Sequence, residues 1–160
     1  MIPPAGKKTF TTQSSLVLAH RLRKKADAIV TGSGTILADN PLFNVRHVQD
    51  FPDKRRILGI LDRRGRVSRE YIDKAARRGL DVVIYQNLDS CFFDLESRGI
   101  RDVLVESGAL LSQSVLASPH WTMRVDVLYE ETDSVEVTLN LDKEIPFDVS
   151  GLEIDALLPL

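Results

Sequence analysis

Short apolar runs alternate with amphipathic segments along the middle of the chain. Four runs are nearly continuous in aliphatic residues, which predicts buried strands. The predicted core strands are Ala28–Thr31, Arg56–Leu61, Val82–Tyr85 and Val103–Glu106. Between them, apolar residues recur at helical spacing, and Gly79 and Gly99 close two of these helices. Strands without polar alternation are typical of a parallel sheet covered on both faces, so the pattern predicts an α/β fold with helices on both sides.

The two ends of the chain follow different patterns. Near the start, Thr12 is a plausible N-cap for a helix that runs from Gln13 to about Ala26. Past Ala117 apolar and polar residues alternate in "MRVDVLYEE", "SVEVTLNL" and "LEIDALLPL". This alternation predicts antiparallel strands at one edge of the sheet. No linker-like segment interrupts the sequence, so we expect residues 1–160 to form one domain.

Composition excludes several classes of protein. The net charge is −2 and the pI about 5.9, which argues against a nucleic-acid-binding or membrane protein. Two basic runs, "HRLRKK" at 20–25 and "DKRR" at 53–56, are expected to lie on solvated faces. The single cysteine, Cys91, permits no internal disulfide and favours a cytoplasmic location. The three histidines lack metal-ligand spacing, so no metal site is predicted.

Two strand ends carry residues suited to binding a ligand. Ligands of open α/β sheets bind beyond the carboxyl ends of the strands. One such end is "TGSGT", and the other is "VLVESGALL", where Gly108 precedes a predicted helix. A helix N-terminus suits a phosphate, and a glycine permits close approach of the backbone. However, Leu37 stands where a dinucleotide fingerprint needs its third glycine, so this motif alone favours a plain strand-to-helix turn for the first stretch.

Arg23 lies on the inner side of the predicted first helix. At about 100° per residue, its side chain projects between Leu16 and Ala19. A buried charge is costly without a partner. From the helical spacing alone, a structural salt bridge and a clamp for a substrate phosphate are equally supported.

A longer motif resembles a known family. "HRLRKKADAIVTGSGTILADNPLFNVR", "ILDRRGRV" and "VLVESGALLSQSVL" resemble the reductase domain of the bifunctional riboflavin-biosynthesis deaminase/reductase, and the likeness extends over about 8–116. The resemblance implies a dihydrofolate-reductase-like fold. It also implies NADPH-dependent reduction of the ribosylamino side chain of 5-amino-6-(5-phosphoribosylamino)uracil to its ribitylamino form.

The same resemblance implies roles for particular residues. Matched substrate-binding positions are Arg23, Phe43, Arg46 and Glu106. Matched cofactor positions are Thr35, Asp39, Arg63, Gly108, Ala109, Leu110, Leu111 and Ser112. Among these, Asp39 is the candidate catalytic residue, because it is the carboxylate that could transfer a proton or hold the carboxamide of the cofactor.

The departures from the family keep other functions open. An earlier strand of the family has no counterpart here, Lys7 and Thr9 replace its Ser and Trp, and Ser107 replaces a glycine. We therefore expect a truncated or diverged relative that lacks the first strand. The alternatives are a non-catalytic reductase-like module and a pterin reductase of the same fold. The family also predicts a homodimer, with a deaminase domain upstream in the full-length protein.

Overall fold

The computed structural model describes residues 13–129 and 133–140. Five helices and six strands follow one another along this part of the chain. In chain order they are α1 (Gln13–Lys25), β1 (Ala28–Gly32), α2 (Ser33–Asp39), β2 (Arg56–Leu61), α3 (Arg69–Arg77), β3 (Leu80–Tyr85), α4 (Leu88–Ser97), β4 (Val103–Val105), α5 (Ala109–Leu116), β5 (Met123–Tyr129) and β6 (Asp133–Leu139). The four predicted core strands are confirmed with small shifts at their ends.

Four strands form a parallel sheet in the order β3-β2-β1-β4. The predicted parallel sheet is therefore confirmed, with β1 paired on both sides. Successive residues of β1 point to opposite faces. Ile29 joins a core cluster with Tyr71 and Ala75 of α3, whereas Val30 packs with Cys91 of α4. Both faces of the sheet are thus covered by helices, as continuous apolar strands require.

Local sequence signals fix the ends of the helices. The hydroxyl of Ser68 accepts a hydrogen bond from the Tyr71 amide at 3.2 Å and caps α3. The side chain of Asn87 accepts one from Ser90 and caps α4. Gly79 and Gly99 follow these helices with φ of +86° and +73°, the left-handed conformation expected of a glycine after a helix.

The C-terminal strands differ in position from their prediction. β5 and β6 pair antiparallel, as expected, with Met123 opposite Leu139 and Tyr129 opposite Asp133. They form a separate two-stranded sheet and do not extend the edge of the central sheet. The nearest edge in sequence is β4, which has only three residues and offers few backbone groups for pairing. The third predicted strand, "LEIDALLPL", lies outside the described residues.

Part of each basic run is buried, which corrects the expectation of two solvated faces. His20 is 2% exposed and Arg56 5% exposed. The Arg56 guanidinium donates to the carbonyls of Arg23 and Lys24 at the end of α1 and to the Asp50 carboxylate at 2.6 Å. The last carbonyls of a helix lack internal donors, and Arg56 supplies them.

Among the described residues, no helix has the length and apolar character needed to cross a membrane.

Candidate active site

The glycine turn after β1 is the start of a short helix. α2 begins at Ser33, directly after its N-cap Gly32, and is followed by its C-cap Asn40 in the left-handed conformation with φ of 46°. Thr35 and Asp39 are four residues apart and therefore lie on the same face of α2. Asp39 is exposed at the last residue of the helix. The two polar groups predicted near the reacting atoms are thus carried by one short helix.

The ends of β1 and β4 pack against each other. The two strands are parallel neighbours, and the Glu106 amide donates to the Val30 carbonyl at 2.9 Å. A Cβ placed on Gly108 would lie 3.9 Å from the Thr35 hydroxyl oxygen, and one on Gly32 would lie 3.6 Å from Leu111. Thr35 and Gly108 are therefore neighbours. Their contact with a cofactor stays a prediction.

A turn rich in arginine follows β2. Asp62 organises this turn, because one of its carboxylate oxygens accepts from the Val67 amide at 2.8 Å while its carbonyl accepts from Gly65, whose φ is +62°. The turn presents Arg63 and Arg64 as exposed side chains. We call residues 62–67 the arginine turn.

The arginine turn borders an open cleft of about 670 Å³ at the carboxyl ends of β1, β2 and β3. Arg66 reaches across to the Ser33 hydroxyl at 2.8 Å and ties the turn to the start of α2. Polar and apolar side chains from four segments of the chain contribute to the wall. They include Ser33, Leu61, Arg63, Arg64, Arg66, Gln86, Asn87, Leu110, Leu111 and Ser114.

The predicted cofactor residues fall into two groups. Arg63, Leu110 and Leu111 line the cleft. The remaining predicted positions do not form its wall; they are Thr35, Asp39, Gly108, Ala109 and Ser112. Arg64, Arg66 and Ser33 were not predicted. Their signal was present in "DRRGR" and "TGSG", but assigning it required knowing that β1 and β2 are neighbours.

Two predicted substrate residues bind each other. Arg23 forms a bidentate ion pair with Glu106, with Nε–Oε1 at 2.6 Å and Nη2–Oε2 at 2.7 Å. The side chains are 15% and 25% exposed. The structural salt bridge considered for Arg23 is present, and its partner is a glutamate 83 residues away. Substrate binding by Arg23 and Glu106 stays a prediction. A substrate phosphate would have to compete with this carboxylate for Arg23.

Helix α1 holds the loop that follows α2. Arg23 donates from Nη1 to the Asn44 carbonyl at 3.3 Å, and the Arg46 amide donates to Nδ1 of His20 at 3.1 Å. His20 and Arg23 are three residues apart, so both project from one face of α1. Sequence reasoning missed His20, although its spacing from Arg23 and Leu16 already placed it toward the interior.

His20 is kept neutral by its surroundings. Burial, followed by the charges of Arg23, His47 and Arg46, lowers its pKa from 6.5 to about 4. A neutral imidazole can accept a hydrogen bond at Nδ1, whereas a protonated one cannot. The fixed position of the Arg46 amide therefore depends on an uncharged His20.

The remaining predicted substrate residues differ in accessibility. Phe43 is 2% exposed with φ of 51°, and its ring lies in the core beneath the Arg23 guanidinium, 5.9 Å from centroid to Cζ. Arg46 is exposed, and its guanidinium donates to the Asn44 side chain at 3.2 Å. Arg46 is thus the more available cation for an anionic substrate.

Comparisons with known proteins agree with this architecture. The family model described as the RibD C-terminal domain matches residues 4–119. The chain belongs to the RibD C-terminal domain family. The predicted membership of an oxidoreductase family is thereby confirmed.

One relative supports the same family. The chain is 34% identical over 93 residues to the riboflavin biosynthesis protein RibD of Corynebacterium ammoniagenes, which covers 58% of this chain and 28% of that protein. The chain thus spans about a quarter of the length of this curated relative.

Solved structures of family members share the fold. Two forms of Acinetobacter baumannii RibD superpose with TM-scores of 0.58 and 0.56 at 21% and 20% identity. These matches cover 81% and 87% of this chain, and 43% and 53% of those chains. The dihydrofolate-reductase-like fold class is therefore confirmed.

Proposed function

We propose that this chain carries the NADPH-dependent reductase activity of riboflavin biosynthesis. The observation that supports this most directly is the packing of the β1 and β4 turns beside a cleft bordered by arginines. In a family of oxidoreductases, this arrangement puts glycine backbone, a helix N-terminus and cations around one opening. NADPH, when bound, supplies the hydride, and the protein supplies orientation and charge.

The residues present fit a nicotinamide dinucleotide phosphate. Gly108 is the N-cap of α5 and has no side-chain cap, so the first amides of the helix are available to a phosphate. Arg63 and Arg64 are exposed at the cleft and match the charge of the extra phosphate of NADPH. We assign the dinucleotide to the cleft and to the Gly108 turn, with Ala109 to Ser112 following it.

The substrate is proposed to be a phosphorylated ribosylaminopyrimidine. Arg46 is its proposed phosphate contact, and the Arg23–Glu106 pair supports the loop that carries Arg46. Thr35 and Asp39 share the face of α2 that lies toward Gly108, where a hydride would be delivered to C1 of the ribosyl group. Reduction also requires a proton, and Asp39 is the exposed acid proposed to position or transfer it.

Assembly and the rest of the protein are proposals of the same kind. We propose that residues 1–160 form one reductase-like domain, and that it works as a homodimer in a longer protein with a deaminase domain upstream. The C. ammoniagenes relative is several times longer than its matched region, which supports a larger parent protein.

Turnover with three substrates tests the proposal. NADPH oxidation is followed by its absorbance with the phosphorylated ribosylaminopyrimidine, its dephosphorylated form and a dihydropterin. We expect oxidation with the first alone. Oxidation with the dihydropterin would instead support a pterin reductase, and NADPH binding without turnover would support a non-catalytic module.

Arg46→Gln tests the substrate site within the same assay. Loss of a charge-assisted contact should raise the KM for the phosphorylated substrate about ten- to a hundred-fold and leave the NADPH affinity unchanged. Arg21→Gln is the matched control, because Arg21 precedes Arg23 on α1 and has no proposed ligand. Equal KM values for Arg46→Gln and wild type would reject this site.

A further inference from the structure

A short irregular segment carries Arg46, the proposed contact for the substrate phosphate. It comprises residues 43–47, which follow α2 and are neither helix nor strand. Its first residue, Phe43, has φ of 51°, a left-handed conformation that a bulky side chain adopts only where the surrounding structure enforces it. The shape of this segment is therefore imposed by contacts from outside it. We call residues 43–47 the Arg46 loop.

Helix α1 supplies two hydrogen bonds to the backbone of the Arg46 loop. Arg23 Nη1 donates to the Asn44 carbonyl at 3.3 Å, and Nδ1 of His20 accepts from the Arg46 amide at 3.1 Å. His20 and Arg23 are three residues apart, so they meet the loop from one face of the helix. Of these two side chains, His20 is the one that holds the backbone of Arg46 itself.

His20 is well suited to hold this amide. It is 2% exposed, and burial is the first cause that lowers its pKa to about 4, so Nδ1 remains an acceptor at neutral pH. Its ring also lies edge-on to the ring of His47, with centroids 4.6 Å apart. Two consecutive residues of the loop thus contact one buried side chain. Removing the Nδ1 acceptor leaves the Arg46 donor unsatisfied, which is more costly than the net loss of one hydrogen bond.

The Arg46 guanidinium extends from this fixed backbone. Its side chain is exposed, and Nη1 donates to the Asn44 side chain at 3.2 Å. A long side chain loses conformational freedom when it binds a ligand, so affinity is higher where the side chain is held in place beforehand. The bonds to the Arg46 amide and to both parts of Asn44 restrict the positions that the guanidinium can reach.

We propose that His20 is a positioning residue for substrate binding, which holds the Arg46 amide so that the Arg46 guanidinium meets the substrate phosphate in a preset position. This role rests on the proposed function, since it takes Arg46 as the phosphate contact. His20 is not among the predicted substrate positions, and because it is buried it acts on the substrate through Arg46.

Kinetics of His20 variants test this role. Asparagine places an amide oxygen where Nδ1 lies, whereas leucine has no acceptor. We expect His20→Asn to keep the wild-type KM for the phosphorylated ribosylaminopyrimidine. His20→Leu should raise this KM about tenfold, with kcat and the NADPH affinity unchanged. If His20→Leu does not fold, His20→Gln takes its place, since its amide lies one bond farther out than Nδ1 and should also raise the KM. A wild-type KM in the variant without the acceptor would overturn the role of His20.

A double variant shows whether His20 acts through Arg46. His20→Leu combined with Arg46→Gln should have the same KM as Arg46→Gln alone, because the guanidinium that His20 positions is already absent. A further increase in KM would refute this route. Leu95→Ala is the control for general destabilisation, since Leu95 is buried in the cluster with Cys91, which does not include Phe43. It should lower the melting temperature with KM unchanged, and an equal rise in KM would assign the His20 effect to lost stability.

Hydrogen exchange of the Arg46 amide separates this inference from the proposed function, because it requires no turnover. In the ¹⁵N-labelled 160-residue chain, exchange should be slow in wild type and His20→Asn and faster in His20→Leu, with the β1 amides as the internal reference. Wild-type turnover together with slow Arg46 exchange in His20→Leu would overturn the role of His20 alone. Absence of wild-type turnover, with His20-dependent exchange, would instead reject the proposed function and the substrate role that rests on it.

Discussion

Arginine has opposite roles in the Arg23–Glu106 pair and in the arginine turn. Arg23 is largely buried, both of its forked N–H groups are taken by one carboxylate, and it supports the Asn44 carbonyl. Arg63 and Arg64, by contrast, are exposed at the mouth of a cleft. The first arginine organises the site, whereas the other two are available to a ligand.

This difference separates stability from affinity. A charge that is already paired and partly desolvated contributes mainly to the stability of the fold, and removing its partner strongly destabilises the protein. An exposed charge contributes little to stability because water screens it. It still attracts an anionic ligand, and this attraction is stronger when the bound ligand excludes water. Substitutions in the two regions should therefore change different measurements.

The largest effect is expected at the buried pair. Glu106→Ala leaves the Arg23 charge without its carboxylate, and we expect the free energy of unfolding to fall by about 3 kcal/mol, at the low end for a buried pair because both side chains keep some exposure. Urea denaturation measures this loss. Glu96→Ala, on the exposed surface of α4, is the control and should change stability by less than about 0.5 kcal/mol. A similar small change for Glu106→Ala would show that the pair is not structural.

Acid should destabilise the protein through His20. Its pKa is about 4 in the folded protein and 6.5 when unperturbed, so the unfolded chain binds a proton first as the pH falls. The stabilising contribution is complete above pH about 6.5 and is lost toward pH about 4. As the pH falls from about 7 to about 5, protonation of His20 in the unfolded chain should lower the free energy of unfolding by about 2 kcal/mol.

A comparison with His20→Asn isolates this contribution from that of the carboxylates. Asparagine keeps an acceptor for the Arg46 amide but does not titrate. The stability of the His20→Asn variant should therefore fall less than that of the wild type over the same pH range. His120→Asn is the matched control, since His120 is exposed and stacks on Phe92. Parallel pH profiles for wild type and His20→Asn would contradict the burial of a neutral imidazole.

A smaller change is expected in cofactor affinity at the arginine turn. Arg63→Gln should weaken NADPH binding about tenfold, equivalent to roughly 1.4 kcal/mol, with the melting temperature and NADH binding unchanged. Calorimetric titration of both cofactors gives the result. Arg69→Gln, an exposed arginine paired with Asp73 on α3, is the control. Equal loss for NADPH and NADH would place Arg63 away from the extra phosphate.

The smallest effect is expected at an exposed ion pair. Lys74 lowers the pKa of Glu70, first by a hydrogen bond and then by its charge, but both side chains are mostly exposed. Glu70→Gln should therefore leave the free energy of unfolding nearly unchanged. A loss of stability comparable to that of Glu106→Ala would show that buried and exposed ion pairs do not differ in their contribution to stability.

The sequence predicted the central sheet well for a simple physical reason. Strands buried on both faces are apolar over nearly their whole length, so β1 and β2 stand out in the sequence without any knowledge of their partners. The helix ends were equally local, because Ser68, Gly79 and Gly99 act on their own backbone. The glycines at the start of α2 concealed its helical conformation, since the N-cap Gly32 and the helical residue Gly34 favour a turn in the sequence.

The site was predicted less completely because its contacts are distant in sequence. Glu106 pairs with Arg23 across 83 residues, and no local pattern distinguishes that pair from two separate substrate contacts. The burial of His20 and Arg56 likewise depends on which segments pack against α1. Family resemblance supplied the candidate positions, but the division between supporting and available charges needed the fold.

Transfer of isotope from cofactor to product tests the central claim most directly. The chain is incubated with NADPH deuterated at the transferred position and the phosphorylated ribosylaminopyrimidine, and the product is analysed by mass spectrometry and NMR. The proposed function predicts deuterium at C1 of the ribityl side chain, with transfer reduced in Arg46→Gln at subsaturating substrate. Binding of both ligands without deuterium in the product would contradict the reductase and favour a non-catalytic module.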